Sequence, residues 1–197
     1  MYKVGITGGI GTGKSTVCRI FSLLDIPVYD ADSRAKWLTE NNPEIRTRLI
    51  TTFGDGTFNG TALNRTYLAT VAFVDDASTA KLNAIIHPVV ADDFKTWTLS
   101  QDAPYVLKEA ALFYEAHTAH EMDTMIVVTA PMDIRVSRVL NRDVHRTRLQ
   151  IQAIMDRQWP DERKLALAQH IVYNDEQQLL IPQILTLHEQ FMKQALS

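Results

Sequence analysis

The sequence has little of several features that mark specialised classes of protein. Its single cysteine, Cys18, excludes a framework of intramolecular disulfides and fits a reducing compartment. Its longest later apolar run, residues 125–130, is far shorter than the roughly 20 residues of a membrane helix. Basic residues are not in excess, with 20 Lys+Arg against 23 Asp+Glu, which argues against a nucleic-acid binder. We therefore expect a cytoplasmic protein with no membrane or nucleic-acid partner.

Short apolar runs alternate with amphipathic segments along the chain. Strands are predicted at residues 4–7, 27–30, 105–107, 125–129 and 171–173. Helices are predicted at residues 15–24, 43–53, 63–73, 77–86, 89–99, 132–141, 146–157, 161–169 and 176–196, with Pro131 as the first residue of its helix. Alternating strands and helices indicate an α/β protein with a parallel five-stranded sheet flanked by helices. The helical block after the second strand is too long for one crossover and indicates an inserted substrate domain.

A glycine-rich motif follows the first predicted strand. Residues 8–15 match the pattern G-x-x-x-x-G-K-[ST], with an apolar strand before it and an amphipathic helix after it. Glycines let backbone N–H groups turn toward an anion, and the helix that follows adds its positive dipole end. Lys14 is placed to reach the β- and γ-phosphates of ATP, and the Ser15 hydroxyl to ligate Mg²⁺. The ATP-binding residues predicted here are Gly9, Ile10, Gly11, Thr12, Gly13, Lys14, Ser15 and Thr16.

Such a phosphate loop occurs in several classes of nucleotide-binding protein. A switch GTPase needs an Asn-Lys-x-Asp sequence for the base, and this chain has none. A motor ATPase usually carries four apolar residues before an acid, and residues 105–109 are a poor version of that pattern. The short chain and its helical insertion favour a kinase of small metabolites.

Two carboxylates follow the second predicted strand directly. Asp30 and Asp32 are two residues apart, so at a strand end they point the same way, toward the carboxyl edge where ligands bind. One of them is suited to orient Mg²⁺ through water, and the other to accept a proton from an attacking hydroxyl. A simpler interpretation is that Asp32 caps the helix that follows and Asp30 is a plain turn residue.

Arginines cluster after the fourth predicted strand. Arg135, Arg138, Arg142, Arg146 and Arg148 fall within fourteen residues. If the helix continued, Arg138, Arg142 and Arg146 would share one face, where like charges cost about 0.2–0.5 kcal/mol per pair. An anionic partner would offset that repulsion, as in a kinase that neutralises a transferred phosphoryl group. A solvated basic face would have the same pattern.

These motifs, with several others in the same order, resemble the bacterial dephospho-coenzyme A kinases over nearly the whole chain. The blocks that carry the resemblance are residues 5–17, 30–32, 53–54, 63–65 with Leu68 and Phe73, His87-Pro88, 112–115, Arg138 with Arg142-Asp143, and 171–174. The chain departs from the family pattern at Glu109 and Ala111, where Asp and Pro are common, and at Gln169-His170, which replaces Ala-Asp.

The resemblance implies ATP- and Mg²⁺-dependent phosphorylation of the ribose 3′-hydroxyl of dephospho-coenzyme A, the final step of coenzyme A synthesis. It also implies a nucleotide-binding core at 1–34, 104–141 and 166–197, an acceptor domain at 35–103 and a lid at 142–165.

By position, the resemblance makes Asp32 the base, with Lys14 and Arg142 as the other catalytic residues. Arg138, Arg142 and Asn174 join the ATP site. The expected acceptor-side residues are Thr7, Asp30, Asp32, Arg65, His87 and Glu109. A structural role for His87, before Pro88 at a helix junction, is equally compatible with the sequence.

Two different functions stay open from the motifs alone. The first is a kinase of nucleoside monophosphates or of another small alcohol, which would share the loop, the lid and the inserted domain. The second is a regulatory nucleotide-binding module that hydrolyses ATP slowly and acts through a partner. In either case, as for the family, we expect a monomer or a weak homo-oligomer.

Overall fold

The computed structural model describes residues 1–196 and contains the expected α/β architecture. Its strands are β1 (Tyr2–Thr7), β2 (Val28–Asp30), β3 (Phe58–Asn59), β4 (Ala62–Leu63), β5 (Tyr105–Glu109), β6 (Thr124–Thr129) and β7 (His170–Tyr173). Its helices are α1 (Lys14–Leu23), α2 (Ala31–Asn41), α3 (Pro43–Phe53), α4 (Arg65–Ala72), α5 (Asp76–Leu99), α6 (Met132–Arg142), α7 (Arg148–Met155), α8 (Asp161–Leu167) and α9 (Leu180–Ala195). The chain divides into two compact units: Met1–Asp30 with everything from Gln101 onward, and Ala31–Ser100.

The first unit is built on a five-stranded sheet in the order β2-β5-β1-β6-β7. Each neighbouring pair is parallel, which confirms the predicted fold class. Apolar side chains on one face of the sheet pack against α1 and α9. In the central strand β1, Val4 and Ile6 are completely buried, in one apolar cluster with Phe21 of α1 and Phe191 of α9. Parallel strands buried on both faces form such short apolar runs, which made them recognisable in the sequence.

The parallel arrangement brings the carboxyl ends of the strands to one edge. β1 ends at Thr7, β2 at Asp30 and β5 at Glu109. In register, Glu109 lies beside Asp30 on one side and Ile6 on the other. The polar residues expected near the phosphates of a ligand therefore end their strands at the same sheet edge.

The second unit, Ala31–Ser100, is mainly helical, with a small antiparallel hairpin. Strands β3 and β4 pair through Phe58 with Leu63 and through Asn59 with Ala62, a feature that the sequence did not predict. The helix α3 spans the residues predicted for it, 43–53. At its start, the side chain of Asn42 caps the helix by accepting a hydrogen bond from the Ile45 N–H.

The helix α5 corrects a prediction in this unit. Residues 77–86 and 89–99 were expected as two helices separated at Pro88, but one helix, Asp76–Leu99, contains this proline. Proline has no N–H to bond the carbonyl four residues earlier, which here belongs to Ala84. Arg48 of α3 donates a 3.0 Å hydrogen bond to that carbonyl from Nη2. The expected helix junction at His87 is therefore wrong, and His87 lies exposed within α5.

The helices after β6 also differ in detail from the prediction. Helix α6 ends at Arg142, so the condition under which Arg138, Arg142 and Arg146 would share one helix face is not met, and Arg146 lies in the following turn. Pro131 occupies the N-cap rather than the first helical position. Among residues 1–196, no helix is long and apolar enough to cross a membrane.

Candidate active site

The phosphate loop connects the end of β1 to the start of α1. It needs glycine at Gly11 and Gly13, whose φ angles of 80° and 91° lie in the left-handed region. Gly13 is also the N-cap of α1, which has no side-chain cap and no acidic residue in its first turn. The uncapped first turn leaves backbone donors and the positive dipole end available to an anion. The structure therefore forms the anion-binding turn that the motif predicts.

Lys14 folds back across this loop. Its Nζ donates a 3.0 Å hydrogen bond to the carbonyl of Gly8, at the other end of the loop. The ammonium group is thus held above the turn, where a triphosphate bound to the loop would pass.

Two side chains stabilise the conformation of the loop: that of Thr12, within the loop, and that of Asn174, which follows β7. The buried Thr12 hydroxyl donates to the Gly9 carbonyl at 3.0 Å. The side-chain amide of Asn174 donates to the Thr12 carbonyl at 2.9 Å. Arg138 in turn donates to the Asn174 carbonyl at 3.0 Å. Thr12, Asn174 and Arg138, all expected in the ATP site, therefore form a chain of contacts that supports the loop.

A half-buried carboxylate, that of Glu109, faces the start of α1. The Ser15 hydroxyl donates to Oε1 of Glu109 at 3.2 Å. Burial raises the pKa of Glu109 above its ordinary value, the charge of Asp30 raises it further, and the nearby Lys14 opposes the shift. Thr7, at the end of the neighbouring strand β1, is completely buried, and its hydroxyl donates to the Ala111 carbonyl at 3.4 Å.

The residues at this sheet edge suit a magnesium ion. Ser15 contributes a hydroxyl, and Glu109 and Asp30 contribute carboxylates in neighbouring strands. Mg²⁺ is usually bound by one or two carboxylates together with waters and substrate phosphates, so a complete protein ligand cage is not required. Among the described residues 1–196, no group of three or more His, Cys, Asp or Glu side chains is placed to hold a metal. The oxygen donors thus fit a metal that arrives with a nucleotide.

The arginines after β6 occupy distinct environments. Arg142 is exposed and contacts Asp143 through two hydrogen bonds, of 3.1 Å and 3.0 Å. The same carboxylate accepts the hydrogen bonds that raise the pKa of Arg142 and lies 3.4 Å from Nε of Arg146. Arg142, Arg146 and Arg157 line one cavity of about 680 Å³. For Arg135, which is 4% exposed, the interpretation as part of a solvated basic face is wrong.

The acceptor-side residues of the second unit lie on its helices. Asp32 is exposed in the first turn of α2, which begins at Ala31, so it is inside the helix rather than at its N-cap. Arg65 opens α4 and donates to Oε1 of Glu40 at 2.5 Å and 3.1 Å. A mainly apolar cavity of about 280 Å³ lies beside Arg65 and Lys36. His87 lies elsewhere, in the middle of α5.

Several buried or partly buried polar residues of the first unit were not singled out from the sequence as site residues. Lys164 of α8 is completely buried, and its Nζ lies 2.9 Å from Oε1 of Glu115. That oxygen also accepts a 2.7 Å hydrogen bond from the Trp159 N–H. Gln158 contacts the phosphate loop and Asp161 contacts Arg135. No local pattern marks these residues, because exposed helices carry the same residue types.

Comparisons with known proteins agree with this geometry. The dephospho-CoA kinase family model matches residues 2–179. A dephospho-CoA kinase of Bacteroides fragilis is 38% identical over 186 residues, which cover 94% of this chain and 90% of that protein. The crystal structure of TT1252 from Thermus thermophilus has a TM-score of 0.84 at 28% identity, with 98% of this chain and 97% of that chain covered.

A dephospho-CoA kinase structure from Campylobacter jejuni shares the fold, with a TM-score of 0.67 at 22% identity and 98% of each chain covered. The family model spans the phosphate loop, both strand-end carboxylates and Asn174, and the relative from Bacteroides fragilis covers nearly the entire chain. The chain therefore belongs to the dephospho-CoA kinase family.

Proposed function

We propose that this protein transfers the γ-phosphoryl group of ATP to the ribose 3′-hydroxyl of dephospho-coenzyme A, giving coenzyme A and ADP. The observation that carries the proposal is the phosphate loop, in which Lys14 Nζ is held 3.0 Å from the Gly8 carbonyl above an uncapped helix start. Family membership supplies the acceptor class. The use of ATP and the single cysteine favour a cytoplasmic location.

The donor side is formed by the loop and the neighbouring strand ends. Backbone donors among residues 9–16, other than the Ile10 N–H that bonds Gln158, bind the phosphates, and the Lys14 ammonium reaches toward the γ-phosphoryl group. Ser15 and Glu109, with Asp30 beside them, would hold Mg²⁺. The ion, when bound, neutralises negative charge on the β- and γ-phosphate oxygens. Asn174 and Arg138, both assigned to the ATP site, stabilise the conformation of the loop.

The acceptor side involves residues of the helical unit. We assign Asp32 as the general base from the family resemblance, and its position two residues after the strand-end Asp30 and its exposed carboxylate are compatible with that role. We assign Arg65 and His87 to acceptor binding and residues 35–103 to the acceptor domain. Residues 142–165 form the lid, with Arg142 contributing charge to the transferred group.

The reaction is an in-line displacement. A bond forms between the ribose 3′-oxygen and the γ-phosphorus, while the bond from that phosphorus to the β–γ bridging oxygen breaks. The hydroxyl proton passes to Asp32, and ADP leaves with the bridging oxygen. Because the protein forms no covalent bond to the phosphoryl group, positioning and electrostatic stabilisation supply most of the rate acceleration.

The decisive experiment measures ADP release with a panel of acceptors in the presence of ATP and Mg²⁺. We expect release to depend on dephospho-coenzyme A. A comparable rate with nucleoside monophosphates or another small alcohol would identify a different metabolite kinase. ADP release that no acceptor changes would instead indicate a regulatory nucleotide-binding module. Sedimentation of the same sample tests whether the protein is a monomer or a weak homo-oligomer.

A further inference from the structure

One residue of the phosphate loop, Ile10, is held by the helices that follow β6. Its N–H donates a 2.9 Å hydrogen bond to Oε1 of Gln158. Its carbonyl accepts a 2.9 Å hydrogen bond from Nε of Arg135. Its side chain packs against the small apolar cluster formed by Val139, Ile151 and Met155. The backbone donor, the backbone acceptor and the side chain of Ile10 are therefore all engaged by α6, α7 or the segment between α7 and α8.

The glycines of the loop leave room for Arg135. A methyl group added at Gly9 would overlap the Arg135 guanidinium, and one added at Gly11 would lie 2.5 Å from the Arg135 carbonyl oxygen. Two of the motif's glycines thus allow close approach of α6 as well as the turn of the backbone. This close approach places the Arg135 guanidinium against the backbone of the loop at Gly9.

The Arg135 guanidinium is itself fixed in place. Its Nη1 donates a 2.5 Å hydrogen bond to Oδ2 of Asp161, while Nε bonds the Ile10 carbonyl. The Arg135 side chain is 5% exposed and that of Asp161 28%, so water competes little for the pair. A planar guanidinium can satisfy both partners at once, which a lysine ammonium on a flexible stem does poorly.

We propose that Arg135 is a positioning residue that sets the conformation of the phosphate loop through Ile10, with Asp161 and Gln158 as its supports. The proposal rests on the proposed function in one respect, namely that the loop binds nucleotide phosphates. The loop amides bind the β-phosphate only when they converge, and Arg135 keeps the Ile10 peptide group in the position that this convergence needs. Arg135 touches the loop from behind and acts on the phosphates through it.

Titration calorimetry with ADP and, separately, adenosine tests the proposal on the full chain. We expect Arg135→Met to weaken ADP binding about tenfold or more, because small misplacements of binding groups have effects of this size. Adenosine lacks phosphates, so its affinity should stay within about twofold of wild type, since the loop contributes little to its binding. Arg135→Lys should recover only part of the ADP affinity. The exposed Lys193 of α9, which has no part in the loop, the lid or the acceptor domain, provides the control, and Lys193→Met should bind ADP as wild type does.

Asp161→Asn and Gln158→Leu provide milder versions of the same test should Arg135→Met fail to fold. Each removes one support, and both should weaken ADP binding without changing adenosine binding. Unchanged ADP affinity in these two folded variants overturns the proposal, as does an equal loss of affinity for ADP and adenosine. Because no acceptor is present, the result is independent of whether dephospho-coenzyme A is the substrate. A wild-type protein that binds ADP normally but does not phosphorylate dephospho-coenzyme A would refute only the proposed function.

Discussion

The side-chain amide of Asn174 lies against Gly13 and donates a 2.9 Å hydrogen bond to the Thr12 carbonyl. This hydrogen bond joins the end of strand β7 to the phosphate loop, although the two residues are 162 positions apart in the sequence. Asn174 contacts the loop at the peptide group just before the N-cap of α1, where a small displacement would turn the first helical donors away from an anion.

This relationship predicts that Gly13→Ala is strongly destabilising. The φ angle of 91° costs an L-residue about 1–2 kcal/mol, and the added methyl group would also overlap the Asn174 amide. Gly60→Ala is the matched control, because its φ is 59° but an added methyl group meets no described atom within 4 Å. Urea unfolding should show a larger loss for Gly13→Ala than for Gly60→Ala. Equal losses would mean that backbone strain alone determines the effect.

Replacing the proposed base separates chemistry from binding. Asp32→Asn keeps the size of the side chain but cannot accept the hydroxyl proton, so we expect kcat to fall by about 10²–10⁴. ATP affinity, measured by calorimetry, should remain near wild type. Asp30→Asn is the comparison, since Asp30 is assigned to the metal side, where its loss should change the Mg²⁺ concentration required. Near-normal turnover of Asp32→Asn would assign the proton transfer to another group.

The raised pKa of Glu109 predicts a pH dependence of stability. Below its ordinary pKa this carboxyl is neutral in both the folded and the unfolded chain, so burial costs little. As pH rises through the ordinary value and then the raised one, the folded state must hold a partly buried charge, and the free energy of unfolding falls. Glu109→Gln removes this contribution, so its stability relative to wild type should increase as the pH rises. A difference that stays flat from about pH 4 to pH 8 would contradict the assignment.

The proline within α5 predicts a dependence on α3. Arg48→Met removes the donor that bonds the Ala84 carbonyl, which Pro88 leaves without its helical partner. We expect a loss of about 0.5–1.5 kcal/mol in the free energy of unfolding, the usual worth of one hydrogen bond. In Arg48→Met with Pro88→Ala, the new N–H can bond the carbonyl, and the loss should shrink. Additive effects of the two substitutions would show that the contact is unimportant.

The sheet and the loop were predictable because both depend on local pattern. Apolar runs such as residues 125–129 are typical of buried strands in a chain of alternating elements, and the phosphate-loop motif requires its glycines locally. The structure confirms both. The roles of Asp32, Arg65 and His87 came from the family resemblance and stay predictions.

What the sequence could not show depends on contacts between distant residues. Arg135 and Arg138 are three residues apart on one helix, and their pattern is that of an ordinary basic face. Only the fold places Arg135 against Ile10 while Arg138 reaches Asn174. In α5, the proline rule failed because the compensating donor comes from a different helix. The hairpin β3–β4 was missed because two-residue strands carry no measurable alternation.

The strand order has a consequence for synthesis of the chain on the ribosome. Strand β1 takes the middle place in the sheet, and both of its neighbours, β5 and β6, are translated about a hundred residues or more after it. Until Thr124–Thr129 has left the exit tunnel, β1 has no complete set of partners and the loop that follows it has no fixed anchor. Nascent chains arrested before that point should therefore be sensitive to protease near residues 8–15, whereas released full-length protein should resist cleavage there.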